Sequence, residues 1–280
     1  MLIRWGLDEA LEPVTFASLR YGLAALILGG WVLARGSLRR NLIGLSRAEV
    51  GRIVALGIVF YALTQGAQFI AIDHQPAATT SLVLSLTPLL VAVLAGRSVA
   101  EAPSRRQVTG AVTVALGAWL YFVGDLGATV AGMAAALVGL GANAVSALLG
   151  RRVNREARVP AIVVTALSMA VGALVLAAVG IVAEGPPSVS SQAWLVITWL
   201  AVVNTALAFT LWNLSLRRLS ALESAAINNT MLVQIALLAW VFLDETLGYG
   251  EVAGIALVSL GVFLTQVPTV VSGRRRSLHR

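Results

Sequence analysis

The sequence contains no cysteine and no lysine, two histidines, and 13 acidic residues in 280. The absence of cysteine excludes a disulfide framework, a thiolate metal site and a cysteine nucleophile. The scarcity of charge excludes more. Charged residues make up 12% of the chain and hydrophobic residues 58%, with a mean hydropathy of +0.87, whereas a soluble domain carries about 25% charged residues. A water-soluble globular fold is ruled out. No G-x-x-x-x-G-K-[ST] segment and no strand-borne G-x-G-x-x-G occurs, so nothing in the chain is built to cradle a nucleotide phosphate. No cofactor or metal site is expected.

What is present is arginine. All 20 cations are Arg, giving a formal charge of +7 and a pI near 11.1. In a polar protein that balance would point to nucleic acid; in an apolar one the position of each arginine carries the information, and no nucleic-acid partner is expected.

A helix needs roughly 20 apolar residues to cross a bilayer. Nine segments reach about that length: 13–34, 50–72, 76–96, 107–123, 129–149, 160–183, 192–214, 222–243 and 251–268. Eighteen of the 20 arginines fall in alternate connections and in the tail, from Arg35, Arg39, Arg40, Arg47 and Arg52 to Arg274, Arg275, Arg276 and Arg280. The opposite connections hold no Arg and carry Asp73, Asp125, Glu184, Asp244, Glu245 and Glu251. The positive-inside rule places the Arg connections and the C-terminus in the cytoplasm, with the tail near anionic lipid. Exclusive use of Arg with abundant Ala and Gly fits a GC-rich bacterial genome, and the expected location is the bacterial inner membrane.

Sliding the sequence along itself by 144 residues sets EAPSRRQVTGAVTVALGAWL (101–120) on ETLGYGEVAGIALVSLGVFL (245–264), pairing Glu101 with Glu245, Gly110 with Gly254 and Gly117 with Gly261. Span 107–123 runs outward and span 251–268 inward, so the two halves are expected to be inverted relative to each other, as in many secondary transporters. The same shift sets residues 1–10 on 145–154, the end of a span. The expectation is an all-α polytopic membrane protein of ten helices, five per half, with nine full spans present and most of the first helix missing. The first unit is expected over 1–124, the second over 125–270, and a basic cytoplasmic tail over 271–280.

Three stretches resemble the EamA-type transporters of the drug/metabolite transporter superfamily: PVTFASLRYGLAALIL (13–28), the run 75–120 with Pro88 thirteen residues before Glu101, and the run 218–264. In the last, Leu232 stands where the pattern has proline, so that helix is expected to be less kinked than 76–96. The resemblance implies ten helices in two inverted units around a central cavity, moving small metabolites by alternating access, often outward.

Polar groups within a span are costly unless paired or facing a cavity, so they are the site candidates. Arg20, seven residues after Pro13, lies well inside its span; packing or snorkelling and substrate contact are both open to it. Tyr61, Gln65 and Gln68 lie on one helical face, as do Ser81, Ser85 and Pro88. Pro88 is expected to kink its helix near mid-span. The 144-residue shift carries Tyr61 to Thr205, Gln68 to Trp212 and Ser85 to Asn229. It adds Asn204, the pair Asn228 and Asn229, and Gln234, with Asn143 and Ser146 as a weaker pair. Interhelical hydrogen bonding accounts for such groups as well as a cavity does.

The resulting expectation is a secondary carrier of small metabolites, an exporter of amino acids or related compounds, present as a monomer or homodimer. A membrane-embedded enzyme on lipid-linked substrates is the first rival, and would need converging His, Asp or Glu side chains. A passive channel is the second.

Overall fold

Inside a bilayer every backbone N–H and C=O must be satisfied by the chain itself, which leaves helices or closed barrels as the solutions. The computed structural model describes residues 12–96, 103–124, 126–156, 158–183, 185, 189–234, 237 and 248–266; these form helices and, among the described residues, no strand. Several residues singled out above lie outside them: Glu101, Asp125, Glu184, Asp244, Glu245, residues 1–11 and the tail.

The elements in chain order are α1 (Pro13–Ala34), α2 (Gly36–Ile43), α3 (Arg47–His74), α4 (Ala77–Ala95), α5 (Arg105–Phe122), α6 (Val130–Arg155), α7 (Ala161–Ala183), α8 (Ser191–Ser215), α9 (Ala221–Asn228, helical again over 230–234) and α10 (Tyr249–Gln266). Seven of these are long and apolar enough to cross a membrane. The other two expected spans are α5, whose first turn is Arg105-Arg106-Gln107, and α9, whose second half lies outside the described residues. Large apolar side chains such as Leu26, Leu174 and Leu195, each more than 70% exposed, cover the outer faces of the bundle. Such a surface is stable only against lipid, and the protein is a multi-pass membrane protein.

Several starts follow from the sequence. Ser46 with Glu49, Ser104 with Gln107, and Ser220 with Glu223 each form a reciprocal capping box that satisfies free N–H groups of the first turn. Two boundaries differ from expectation. The stretch after Ala34 is not a plain loop but contains α2, and α6 continues past 149 to Arg155, because Arg152 and Arg155 favour the carbonyl end of a helix.

Helices α5 and α10 pack antiparallel through glycine. A Cβ on Gly110 would lie 2.7 Å from the Gly261 carbonyl, and one on Gly117 would lie 2.8 Å from the Gly254 carbonyl and 2.6 Å from Val258 N. Only hydrogen fits at these points, and the close approach buries Val114, Ala118, Val258 and Val262 between the helices. A second pair, α1 and α7, closes around Tyr21, Met169 and Leu176, with α3 beside it contributing Ile53, Leu56 and Tyr61 to the same cluster.

Candidate substrate site

Two membrane helices depart from α-geometry at mid-length. Residues Gly57–Leu63 of α3 and Leu200–Leu207 of α8 form π-helical turns, wider than the α-helix and strained enough to persist only where the surroundings favour them. In α3 the Val59 carbonyl receives both the Thr64 N–H and the Thr64 hydroxyl, the latter at 2.9 Å. Tyr61 and Thr205, set on each other by the 144-residue shift, sit in these two turns and are both fully buried. The hydroxyl of each is without a hydrogen bond among the described residues; that of Tyr61 faces the Ser168 and Asn213 side chains.

An aromatic group surrounds Tyr61. Its ring meets Tyr21 edge-on at 5.5 Å and Phe209 at 5.2 Å, and Phe60 completes the set. Arg20 folds onto this group: its guanidinium lies 4.8 Å from the centre of the Tyr21 ring and donates to the Tyr21 hydroxyl at 3.0 Å. Its Nε is buried without a partner among the described residues, where the cation is held by an aromatic ring and a hydroxyl group.

Two further helices are interrupted. α4 breaks at Leu86, with φ −74° and ψ −4°, two residues before Pro88. Proline has no N–H, so the Leu84 carbonyl loses its helical partner, and the Thr87 hydroxyl takes that carbonyl at 2.5 Å. α9 breaks at Asn229, with φ −69° and ψ −11°. α9, expected to be less kinked than α4, is interrupted as well, with no proline at the break. The Asn229 amide donates across to the Ser85 carbonyl at 2.9 Å, and the Thr230 hydroxyl returns to the Ile227 carbonyl at 2.7 Å. Side-chain bonding at α9 replaces the ring constraint at α4.

The candidates therefore fall into three kinds. Ser85 and Asn229 join the two broken helices, with the Ser85 hydroxyl returning to the Leu82 carbonyl at 2.6 Å. Tyr61 and Thr205 are buried with unpartnered hydroxyls. Gln65, Gln68 and Trp212 are half-buried, whereas Ser81, Asn204 and Asn228 are exposed. No hydrogen bond joins any of those six side chains to another among the described residues. Gln234 reaches Thr230 at 3.4 Å, and Ser146 returns to the Asn143 carbonyl at 2.8 Å.

Sequence reasoning passed over a buried amide chain. Asn154 of α6 donates to the Asn213 Oδ1 of α8 at 2.8 Å, and the Asn213 amide donates to the Thr165 hydroxyl of α7 at 3.1 Å. All three are at most 1% exposed. Asn154 fell in an expected loop, and Asn213 stands beside the more conspicuous Trp212. Its spacing of four from Phe209, on the buried face of α8, was the signal available. Among the described residues no three His, Asp or Glu side chains converge.

The unpartnered hydroxyls carry an expected result. Tyr61→Phe and Thr205→Val each remove a desolvated donor that has no bond to lose, so each should leave stability unchanged or raise it by about 1 kcal/mol. Thermal unfolding in detergent checks this; a loss of 2 kcal/mol or more in either variant would show that the hydroxyl is bonded.

The fold accords with that of a known protein, and the sequence with known relatives. A Bacillus subtilis (strain 168) protein named Uncharacterized transporter YyaM is 23% identical over 268 residues, which cover 90% of this chain and 83% of its own. A solved crystal structure superposes with a TM-score of 0.76 at 23% identity, over 92% of this chain and 88% of the other, a likeness of fold. A family model, EamA-like transporter family, matches residues 1–123 and again 130–267. Matched on both sides of the connection at 124–129, the chain belongs to the EamA-like transporter family.

Proposed function

We propose that the protein is a secondary carrier in which two inverted halves, 1–124 and 125–270, pass a small polar metabolite across the membrane by alternating access. The observation that carries this reading is reciprocity at a spacing of 144. The contact of Gly110 with Gly261 becomes, after the shift, the contact of Gly254 with Gly117. Asn229 bonds the carbonyl of its own counterpart, Ser85. Ser104 N bonds Gln107 Oε1 at 2.9 Å, and their counterparts Gly248 N and Glu251 Oε2 bond at 2.6 Å. Matched contacts of this kind are what a pseudo-two-fold axis between the halves would give, and antiparallel α5 and α10 support an axis in the membrane plane.

Interrupted helices expose backbone groups where a substrate needs partners, and each half supplies one π turn and one break. The open amides and hydroxyls of Gln65, Gln68, Ser81, Asn204 and Asn228 suit a substrate with both donors and acceptors. Amino acids and related compounds are the class we favour, with outward transport across a bacterial inner membrane and the C-terminus in the cytoplasm.

In proteoliposomes, labelled amino acid is expected to exchange without ATP. Gln68→Ala, Asn228→Ala and Asn229→Ala should each lower that exchange about tenfold, the effect of one lost hydrogen bond of about 1.4 kcal/mol. Wild-type exchange in all three would remove these residues from the site. Strict dependence on ATP would defeat the carrier reading itself.

A further inference from the structure

At the arginine-rich end of the bundle, away from the π turns and the breaks, α2 leans on the core. Leu38 and Leu42, with Leu45 after them, pack against the cluster that contains Ile53 and Leu56. Between α2, the first turn of α3 and residues 158–159 opens a recess of about 350 Å³, whose lining includes Ser37, Arg40, Asn41, Glu49 and Arg158. A narrower cleft shares Glu49 and Arg158 and leads to Arg52 and Arg152.

The electrostatic balance of this region is positive. The Glu49 carboxylate is engaged in the cap of α3, taking Ser46 N at 2.8 Å and the Ser46 hydroxyl at 2.7 Å. Glu156 lies 3.1 Å from the Nε of Arg158. Across the two openings four arginines face these two carboxylates. The Asn41 amide donates to the Ser37 carbonyl at 2.8 Å, which fixes it on the wall of the recess. Next to these polar groups the chain exposes Ile43 by 75% and Val50 by 41%. A cationic hollow with apolar side chains beside it, at the level where spans leave the hydrocarbon, complements a lipid and not a soluble anion.

We propose that this recess binds the phosphate of an anionic phospholipid, with Arg40 and Arg158 on the phosphate and the acyl chains running beside Ile43 and Val50. A soluble phosphate compound would gain nothing from the apolar side chains. The site is separate from the transport reading, and its test needs no transported substrate.

The full chain is placed in nanodiscs of phosphatidylcholine with increasing phosphatidylglycerol, and the thermal unfolding midpoint is followed. Phosphatidylglycerol is expected to raise the midpoint. The double variant Arg40→Gln/Arg158→Gln should require about 30-fold more of it, the loss expected for two guanidinium groups near a membrane surface. Arg39→Gln removes charge outside the recess and should shift the dependence by less than about threefold. An equal shift in Arg39→Gln would mean bulk surface charge and overturn the site. Inorganic phosphate stabilising protein in pure phosphatidylcholine as strongly as phosphatidylglycerol does would overturn the lipid assignment. If the double variant does not fold, Asn41→Leu, which keeps every charge and replaces the polar amide on the wall with an apolar side chain, decides. About tenfold weaker dependence supports the site and an unchanged dependence defeats it.

Discussion

Replacing Gly117 with leucine is expected to keep α5 and α10 from closing and to leave little folded protein. At this position a Cβ alone would lie 2.6 Å from Val258 N, 2.8 Å from the Gly254 carbonyl and 2.8 Å from Leu257 Cβ. Two of those three atoms are backbone and cannot rotate away. Relief requires the helices to separate, and separation uncovers Val114, Ala118, Val258 and Val262, all buried between them. Alanine at Gly117 should cost about 1–3 kcal/mol, the usual range for overpacking, and leucine more. Gly261 is the counterpart of Gly117, and its Cβ would lie 2.6 Å from Val114 N and 2.7 Å from the Gly110 carbonyl. Gly261→Ala should therefore match Gly117→Ala within about 1 kcal/mol if the halves are related as proposed. Gly29→Ala is the control: nothing lies within 4 Å of its Cβ, and the gain in helix propensity should stabilise by about 0.5–1 kcal/mol. Unfolding midpoints in detergent read all four variants. A wild-type midpoint for Gly117→Leu would show that the helices do not pack through this position.

The glycine register behind that contact is legible in the sequence because it is local and repeated, whereas the packing of α5 on α10 itself is not. The glycine register of 101–120 against 245–264 marks both helices, and apolar length marks the spans. The capping boxes are also local, since Ser46 with Glu49 and Ser220 with Glu223 need only a spacing of three. The π turns are different. Gly57–Leu63 and Leu200–Leu207 share no residue pattern that would set them apart from an α-helix, because what holds the wider turn is packing, such as Tyr61 against Gly172 of α7. The break in α9 has a related cause. No proline marks it, and Asn229 reaches a carbonyl on a helix 144 residues away. Side chains of that reach leave no mark at short range in a sequence.

The candidate site was legible as a set of residue types and not as an arrangement. Choosing polar residues within apolar spans found Tyr61, Thr205, Ser85 and Asn229, and it could not tell that the first two are buried while the last two bridge helices. It also found Asn228 and Asn204, whose side chains remain exposed. Asn154 lies beyond the apolar stretch that marks its span, so apolar length alone does not place it in a helix.

Asn213→Ala is expected to have the second-largest effect, about 2–4 kcal/mol, because one deletion opens two interhelical bonds among fully buried side chains. The Asn213 side chain accepts from Asn154 at 2.8 Å, and donates to Thr165 at 3.1 Å and to the Phe209 carbonyl at 3.1 Å. Removing it leaves the Asn154 amide with only the Gly150 carbonyl, at 2.9 Å on its own helix, and the Thr165 hydroxyl with only Ala161. Each buried polar group left short of partners costs about 1–3 kcal/mol, while a bond between membrane helices contributes about 0.6–2 kcal/mol. The loss of partners is therefore the larger part of the effect. It follows that Asn154→Leu/Asn213→Leu, which removes both amides and keeps volume, should be less harmful than the sum of the single alanine variants. The same end of the bundle is tied twice more, by Arg151 to the Leu216 carbonyl at 2.6 Å and by Arg217 to the Val159 carbonyl at 2.7 Å. In a carrier of the proposed kind, opening that end must break this set together. Asn213→Ala should then make a cysteine reporter introduced at Ser168, buried beside the chain, react faster with a thiol reagent supplied from the Arg-rich side. An unchanged labelling rate with lowered stability would assign the amide chain to folding alone.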